Sequence, residues 1–365
     1  MRNKIIGIAI LLLIIGGTFA FLVLNGKNNA KGPAPSKTVT VLKGYIGSEK
    51  EGLLSDPAIQ NLLKNDFGVQ LDYAKAGSIA MVEGSTKGQD FLFPSSQTAL
   101  EIFKQKQPDA IAANRVEFNS PLVLYSWDTV TNALIKQGIV QERNGTDYVV
   151  DMPKLISMVN SGKKWADIGL PSLYGNVNIQ STDPTQSNSG NQFAGLLADI
   201  LNNGQVVDDS TVQKVLPQIK TYFGKQGYQQ TGSGDIFEQY LTTGVGAYPL
   251  IVGYENQLIE FAAQNPQKWQ QVKSKMRILY PVPTVWSSHT FIALNDKAKV
   301  GLNALASTKI QNLAWTKHGF RSGDANVVND TSKLPVSGIP SSIDQVIGVP
   351  KPSVMDTIIN ALKAH

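Results

Sequence analysis

Residues 38–78 read TVTVLKGYIGSEKEGLLSDPAIQNLLKNDFGVQLDYAKAGS. The first eleven residues begin with alternating polar and apolar side chains and continue as a mainly apolar run. This pattern predicts a β-strand ending at Gly47 and Ser48. A helix follows, with Pro57 in its first turn and Gly68 at its end, and 69–78 predicts a second strand. DFLFPSS (90–96) predicts a third strand before another helix. This alternation indicates an α/β fold with a parallel sheet and right-handed crossovers.

Each of these three strands ends in a turn that carries serine. In open α/β sheets, ligands bind in the crevice beyond the carboxyl ends of the strands. Serine is also common in ordinary turns, so one such ending would mean little. Three in succession favour a shared binding site, formed by Gly47, Ser48, Gly77, Ser78, Ser95 and Ser96.

A fourth cluster stands in STDPTQSNSGNQFAGLLADIL, residues 181–201. Its second half has the apolar spacing of an amphipathic helix. Ser187, Asn188, Ser189 and Gly190 precede the first apolar residue, where helix N–H groups lack partners and the helix dipole is positive. The cluster is therefore a candidate cradle for an oxyanion or a carboxylate. The alternative is an ordinary N-cap preceded by a polar loop.

Two long extended stretches, 116–127 and 278–294, predict two crossings between α/β lobes. Pro121, Pro281 and Pro283 disfavour a single large sheet with long central strands. Two crossings would form a hinge, with lobe 1 at 38–125 plus 285–365 and lobe 2 at 126–284. Between them, WADIGLPS (165–172) predicts a short strand.

The amino-terminal part predicts membrane attachment. Residues 5–24 carry no charge and are long enough to span a bilayer core, so 1–24 is predicted to be an uncleaved signal anchor and 25–37 a tether. We expect the globular part to lie outside the cytoplasm. Beyond residue 37, basic and acidic residues number 28 each, which argues against a nucleic-acid partner. The sequence contains no cysteine, which excludes a lipid-modified cysteine and cysteine metal sites.

The chain resembles the type II extracellular or periplasmic solute-binding proteins of ABC importers over roughly residues 38–330. The resemblance rests on GYIGS, AGS and FPSS after successive strands, NSPLVLYS, STDPTQSNSG, PLIVGYENQ and ILYPVPTVWSSHTFIAL. The layout is closest to the molybdate- and sulfate-binding branch. Glu49 and Glu255 depart from that pattern, because carboxylates repel a bound anion.

By this resemblance the fold is two-lobed, the partner is an ABC permease, and the ligand is a small, anionic solute. Ser48, Ser78 and Ser95 or Ser96 would line one wall of the cleft, and Ser187 to Gly190 with Tyr254 the other. Ser287 lies in the predicted hinge. The predicted ligand-binding residues are thus Gly47, Ser48, Gly77, Ser78, Ser95, Ser96, Ser187, Asn188, Ser189, Gly190, Tyr254 and Ser287.

The sequence predicts a binding protein rather than an enzyme, with no cofactor and no metal. The three histidines, His289, His318 and His365, lack a metal-ligand spacing. Two alternatives remain open. One is an anchored sensor or assembly factor with the same fold. The other is a serine hydrolase, because Ser161 and Lys164 match Ser-x-x-Lys, although no Lys-Thr-Gly follows.

Overall fold

A computed structural model describes residues 39–363 of the chain. Ten strands are found there: β1 Thr40–Ile46, β2 Val69–Lys75, β3 Phe91–Phe93, β4 Ala113–Trp127, β5 Val140–Arg143, β6 Asp147–Asp151, β7 Leu250–Tyr254, β8 Met276–Val282, β9 Trp286–Ala293 and β10 Arg321–Ser322. The predicted anchor (1–24) and tether (25–37) lie outside the described residues. Within them, no helix has the length and apolar character needed to cross a bilayer.

The α-helices fill the connections between these strands. They are α1 Glu51–Ser55, α2 Pro57–Phe67, α3 Ser78–Glu83, α4 Gln97–Lys106, α5 Asp128–Lys136, α6 Met152–Asn160, α7 Asn188–Leu201, α8 Val212–Gly224, α9 Ser233–Thr243, α10 Glu255–Gln264, α11 Pro266–Val272, α12 Lys299–Leu305, α13 Thr308–His318 and α14 Pro352–Lys363. Their ends follow local rules. Helix α2 has Pro57 in its first turn and ends at Gly68, whose φ of 64° suits glycine.

The first lobe is built on a sheet with the order β2-β1-β3-β9-β4. Strand β1 pairs in parallel with both β2 and β3, which confirms the predicted parallel crossovers. Strand β9 enters antiparallel between β3 and β4, so the complete sheet is mixed. Because β1 and β2 run in the same direction, their carboxyl ends and serine-bearing turns meet at one edge.

The second lobe shares β4 with the first. Residues 113–121 of β4 pair with β9, whereas 122–127 pair with β7 and β8. Strand β8 is parallel to β6, and β6 forms an antiparallel hairpin with β5. Pro121 thus lies where β4 changes partners, which is compatible with its missing N–H.

Two of the chain crossings between the lobes are bonded to each other; a third runs from β10 of the first lobe to α14, which packs on the second. Of the bonded two, one is β4 itself, and the other is the short segment between Val282, at the end of β8, and Trp286, at the start of β9. The threonine hydroxyl of Thr284 donates to the carbonyl of Leu122 at 2.6 Å, so the two crossings are bonded to each other. This is the arrangement expected of a two-strand hinge.

The last residues of the chain pack on the second lobe. Val354, Met355 and Ile358 of helix α14 belong to the same core as Phe193 of α7. The sequence division placed 285–365 wholly in lobe 1, and here the structure differs. Periodicity identified α14 as a helix but carried no information on which lobe its apolar face would contact.

The segment 165–172 is not a strand, contrary to the sequence prediction. Trp165–Ile168 forms a 3₁₀ helix that buries both terminal residues. The Asp167 carboxylate accepts from the Lys164 amide at 2.9 Å, and Gly169 ends the turn with φ of 90°. A local side-chain cap and a left-handed glycine outweighed the apolar pattern.

Candidate functional site

A cavity of about 830 Å³ lies between the two lobes. The first lobe contributes residues 47–49 and 75–80, which follow β1 and β2. The second lobe contributes 184–189 and 231–235, at the starts of helices α7 and α9. Helix α14 closes one side with Met355, Asp356, Ile359, Asn360 and Lys363.

Most of the predicted ligand-binding residues meet at this cavity. Gly47, Ser48, Gly77, Ser78, Ser187, Asn188, Ser189 and Tyr254 all line it. They come together because the β1 and β2 turns share one sheet edge, and because α7 and the end of β7 face that edge from the second lobe. The structure thus brings the two predicted walls to a single space.

The other predicted residues lie behind the cavity wall. Ser96 caps helix α4, since its hydroxyl accepts from the Ala99 amide at 3.3 Å. Ser287 is fully buried and donates to the carbonyl of Ser95 at 2.8 Å. Inside α7, the carbonyl of Thr182 occupies the space that a Cβ on Gly190 would need. Gly190 is therefore required for close packing against the chain's own backbone, and it does not line the cavity.

The start of α7 presents donors to the cavity. Ser187 precedes the helix in an extended conformation, and its side chain makes no capping hydrogen bond. Its hydroxyl lies 3.1 Å from that of Ser189, which lies 2.7 Å from the hydroxyl of Thr182. The first-turn amides of a helix have no intrahelical acceptors, so this end combines N–H groups, hydroxyls and a positive dipole.

Asn188 joins the two lobes across the cavity. Its Nδ2 donates to the Ser95 carbonyl of the first lobe at 2.8 Å and to the Tyr254 hydroxyl of the second at 2.9 Å. Its Oδ1 is buried and accepts no hydrogen bond from the described residues. The described conformation is therefore one in which the lobes are in direct contact at the site.

A buried charged cluster supports the first-lobe wall. The Lys50 ammonium lies 2.6 Å from Glu49 Oε1, 2.5 Å from the Ser95 hydroxyl and 3.2 Å from His289 Nδ1. The Ser95 hydroxyl also donates to Glu49 Oε1. Lys50 lies 4.9 Å from the centroid of the Phe93 ring, a favourable cation–π position.

This cluster fixes the charges of its members. Burial would raise the pKa of Glu49, but Lys50 and His289 outweigh it and hold that pKa well below the usual range. Burial lowers the pKa of Lys50 against the opposing effect of Glu49. Burial, assisted by Lys50, lowers the pKa of His289 to about 4. At neutral pH Glu49 is thus ionised and the imidazole of His289 is neutral.

Lys50 and His289 were not among the predicted site residues. Lys50 directly follows the predicted Gly47-Ser48 turn, so its position was available as a signal, but nothing local indicated that it is fully buried. His289 was considered only as a metal ligand. The described residues 39–363 contain no group of His, Asp and Glu side chains arranged to hold a metal ion.

The two carboxylates that depart from the pattern of anion-binding relatives, Glu49 and Glu255, lie in different places. Glu49 lines the cavity. Glu255 is fully buried elsewhere, and Arg321 contacts its two carboxylate oxygens at 2.6 and 2.8 Å. Glu255 therefore does not repel an anionic solute in the cavity. The carboxylate of Glu49, in contrast, is part of the cavity wall.

The serine of the hydrolase alternative lies outside the cavity. Ser161 is exposed after helix α6, and its hydroxyl donates to the carbonyl of Met158 at 2.7 Å. Lys164 is also exposed, and neither residue lines the cavity. The arrangement at 161–164 is that of a helix end followed by a turn.

No protein-family model matches this chain, and neither does any curated protein. Solved structures do match. The substrate-binding protein of an ABC transporter from Agrobacterium tumefaciens is 14% identical, with a TM-score of 0.56 over 90% of this chain and 96% of that one. The sulfate-binding protein SubI from Mycobacterium tuberculosis H37Rv is 16% identical, with a TM-score of 0.50 over 78% and 88%.

A third match is the periplasmic binding protein AfuA from Actinobacillus pleuropneumoniae, solved with exogenous fructose-6-phosphate bound. It is 14% identical, with a TM-score of 0.51 over 87% of this chain and 96% of that one. At these identities the comparisons establish the architecture alone. The chain has the two-lobed α/β fold of the extracytoplasmic solute-binding proteins of ABC transporters.

Proposed function

We propose that this protein captures a small anionic solute between its lobes and delivers it to an ABC permease. The observation that carries the proposal is the convergence, at one interlobe cavity, of the start of α7 with the turns that carry Ser48 and Ser78. Solute-binding proteins with this fold, among them one that binds sulfate and one solved with a sugar phosphate, give the proposal its context.

Capture would be non-covalent. The hydroxyls of Ser48, Ser78, Ser187 and Ser189 and the first amides of α7 would donate to the anionic group of the solute. The helix dipole favours negative charge at that end without a formal positive charge in contact with the solute. The proposed capture involves no catalysed reaction and no cofactor.

Lobe movement would couple capture to delivery. The two crossings near Pro121 and Pro283 permit rotation of one lobe against the other. Asn188 would hold the closed form, because it is bonded to Ser95 and Tyr254 at the same time. The solute contacts both lobes and therefore stabilises the form in which they touch.

The test is thermal unfolding of the full-length protein against oxyanions, carboxylates, amino acids and sugar phosphates. A solute at 100 times its dissociation constant adds about 2.7 kcal/mol to the free energy of unfolding, which raises the melting temperature by several degrees. Ser187→Ala should weaken the response, and Ser161→Ala is the matched control that should leave it unchanged. A flat response to every compound would refute the proposal.

We further propose that residues 1–24 anchor the protein in the membrane, with the globular part on the extracytoplasmic side. The support is the uncharged stretch 5–24 and its flanking lysines and arginine. Externally added protease should digest the globular part in intact cells, and the protein should stay in the membrane fraction after an alkaline wash. Release by that wash would contradict the anchor.

A further inference from the structure

The second carboxylate oxygen of Glu49 has no hydrogen-bond partner among the described residues. Lys50 and Ser95 both bond to Oε1, and His289 approaches the same oxygen at 3.5 Å. No residue in the described range 39–363 donates to Oε2. Only 6% of the Glu49 side chain is exposed, and that side chain lines the cavity. The cavity wall therefore contains a largely buried carboxylate whose second oxygen makes no hydrogen bond to the described residues.

This oxygen carries charge at neutral pH. The ammonium of Lys50 and the hydrogen bonds around Oε1 keep the pKa of Glu49 far below its ordinary value, although burial alone would raise it. An ionised carboxylate accepts hydrogen bonds and cannot donate them. A group facing Oε2 is thus favoured if it donates and opposed if it is a bare anionic oxygen.

The carboxylate and the start of α7 face the same part of the cavity. Ser95 contacts both, since its hydroxyl donates to Glu49 while its carbonyl accepts from Asn188. The carboxylate of Glu49 and the side chain of Asn188, which both line the cavity, are therefore linked through the single residue Ser95. A small molecule can contact both at once.

Two lysines line the cavity. Lys75 is paired with Glu51 at 2.9 Å, and both side chains are about half exposed. Lys363, the other lysine of the lining, lies at the end of α14. The positive charge closest to Glu49 is Lys50, whose side-chain nitrogen already bonds to Glu49 Oε1 and to the Ser95 hydroxyl.

We infer that the solute carries a hydrogen-bond donor beside its anionic group, and that this donor binds Oε2 of Glu49. This inference rests on the proposed function and narrows its substrate class. Hydroxy acids, amino acids, hydrogen phosphate, and phosphate monoesters that carry a hydroxyl share the required chemistry. Sulfate and molybdate, which carry no proton at neutral pH, present only acceptors to this oxygen.

The experiment is calorimetric titration of the full-length protein at pH 7.5 with matched pairs of ligands. Glycolate and glycine are compared with acetate, and phosphate and glycerol phosphate with sulfate and molybdate. A donor-bearing member should bind at least tenfold more tightly than its donorless partner. The pair that responds identifies the donor as a hydroxyl, an ammonium or a protonated phosphate.

The variant is Glu49→Gln combined with Lys50→Met, which removes the buried ion pair as a unit and leaves no uncompensated charge. It should reduce the selectivity between the matched ligands to less than threefold. Glu83→Gln is the control, because Glu83 lines the same cavity with an exposed side chain paired to Lys106. That control should keep the selectivity of the unmodified protein.

The outcomes separate this inference from the function on which it rests. Equal or tighter binding of sulfate or molybdate by the unmodified protein would overturn the inference and leave solute capture in place. Unchanged selectivity in the folded double variant would do the same. If no ligand binds, solute capture itself fails, and the inference fails with it.

Discussion

Asp199→Asn should stabilise the folded protein at pH 8 and have little effect at pH 4. Asp199 lies in helix α7 and is fully buried. Its Oδ1 accepts from the Val207 amide at 2.8 Å, and its Oδ2 has no partner in the described residues. Burial raises the pKa of Asp199 to about 7, against a smaller opposing effect of the Val207 hydrogen bond.

The sign follows from which state holds the proton more tightly. The folded pKa is about 7 and the unfolded value is 3.8, so the unfolded chain loses its proton first as the pH rises. Stability therefore falls between about pH 4 and pH 7 and is flat above that. One pKa unit corresponds to about 1.4 kcal/mol, so the full shift amounts to about 4 kcal/mol. We expect a gain of about 2 kcal/mol, because local relaxation admits water to the carboxylate.

The assay is urea unfolding of the full-length protein and the variant at pH 4, 5.5, 7 and 8. The gain should grow up to pH 7 and then level off. Asp208→Asn is the control with the opposite sign. Bonds from Ser210 and Thr211 lower the pKa of the exposed Asp208 to about 2, so its contribution to stability is present above pH 4. A pH-independent effect of Asp199→Asn would refute the argument.

Three further substitutions test the packing around the site. Arg321→Met should lower the free energy of unfolding in urea by about 3–5 kcal/mol, because it leaves Glu255 buried and without its cationic partner. Adding Glu255→Leu should recover most of that loss, and the absence of recovery would contradict the pairing. Gly190→Ala should lower the free energy of unfolding by about 1–3 kcal/mol, since the added Cβ would collide with the Thr182 carbonyl. An unchanged stability would mean that the 182–184 segment moves freely. Asn188→Ala should weaken solute affinity about tenfold and expand the solute-saturated protein in X-ray scattering; unchanged compactness would argue against its role across the cavity.

The parts of the fold with strong local signals were predictable. The alternation at 38–78 predicted β1, α2 and β2, and the amphipathic spacing at 188–201 predicted α7. The insertion of β9 between β3 and β4 was not predictable, because β3 pairs with residues of β9 that lie at least 200 positions away in the chain. Local pattern specifies an element far better than it specifies the element's partner.

The site was predictable where it follows from sheet geometry. The turns after β1 and β2 meet because parallel strands place their carboxyl ends together, and Ser48 and Ser78 line the cavity accordingly. Ser95 resembled them in sequence but is buried, because its hydroxyl belongs to the cluster around Lys50. Which serine of a turn faces the cavity depends on side chains that arrive from β9, and those cannot be inferred from the turn itself.

The burial of Lys50 supports a role for the cluster beyond stability. A lysine is almost never fully buried without partners, and apolar side chains of similar volume stabilise a protein as well as or better than a buried ion pair. Lys50 is fully enclosed and has its contacts with Glu49, Ser95, His289 and Phe93. All the bonds that the cluster makes to Glu49 go to one oxygen, which leaves the second oxygen of this ionised, fixed carboxylate without a partner among the described residues. Departures from ordinary core composition concentrate at functional sites, and this one lies where the two lobes meet.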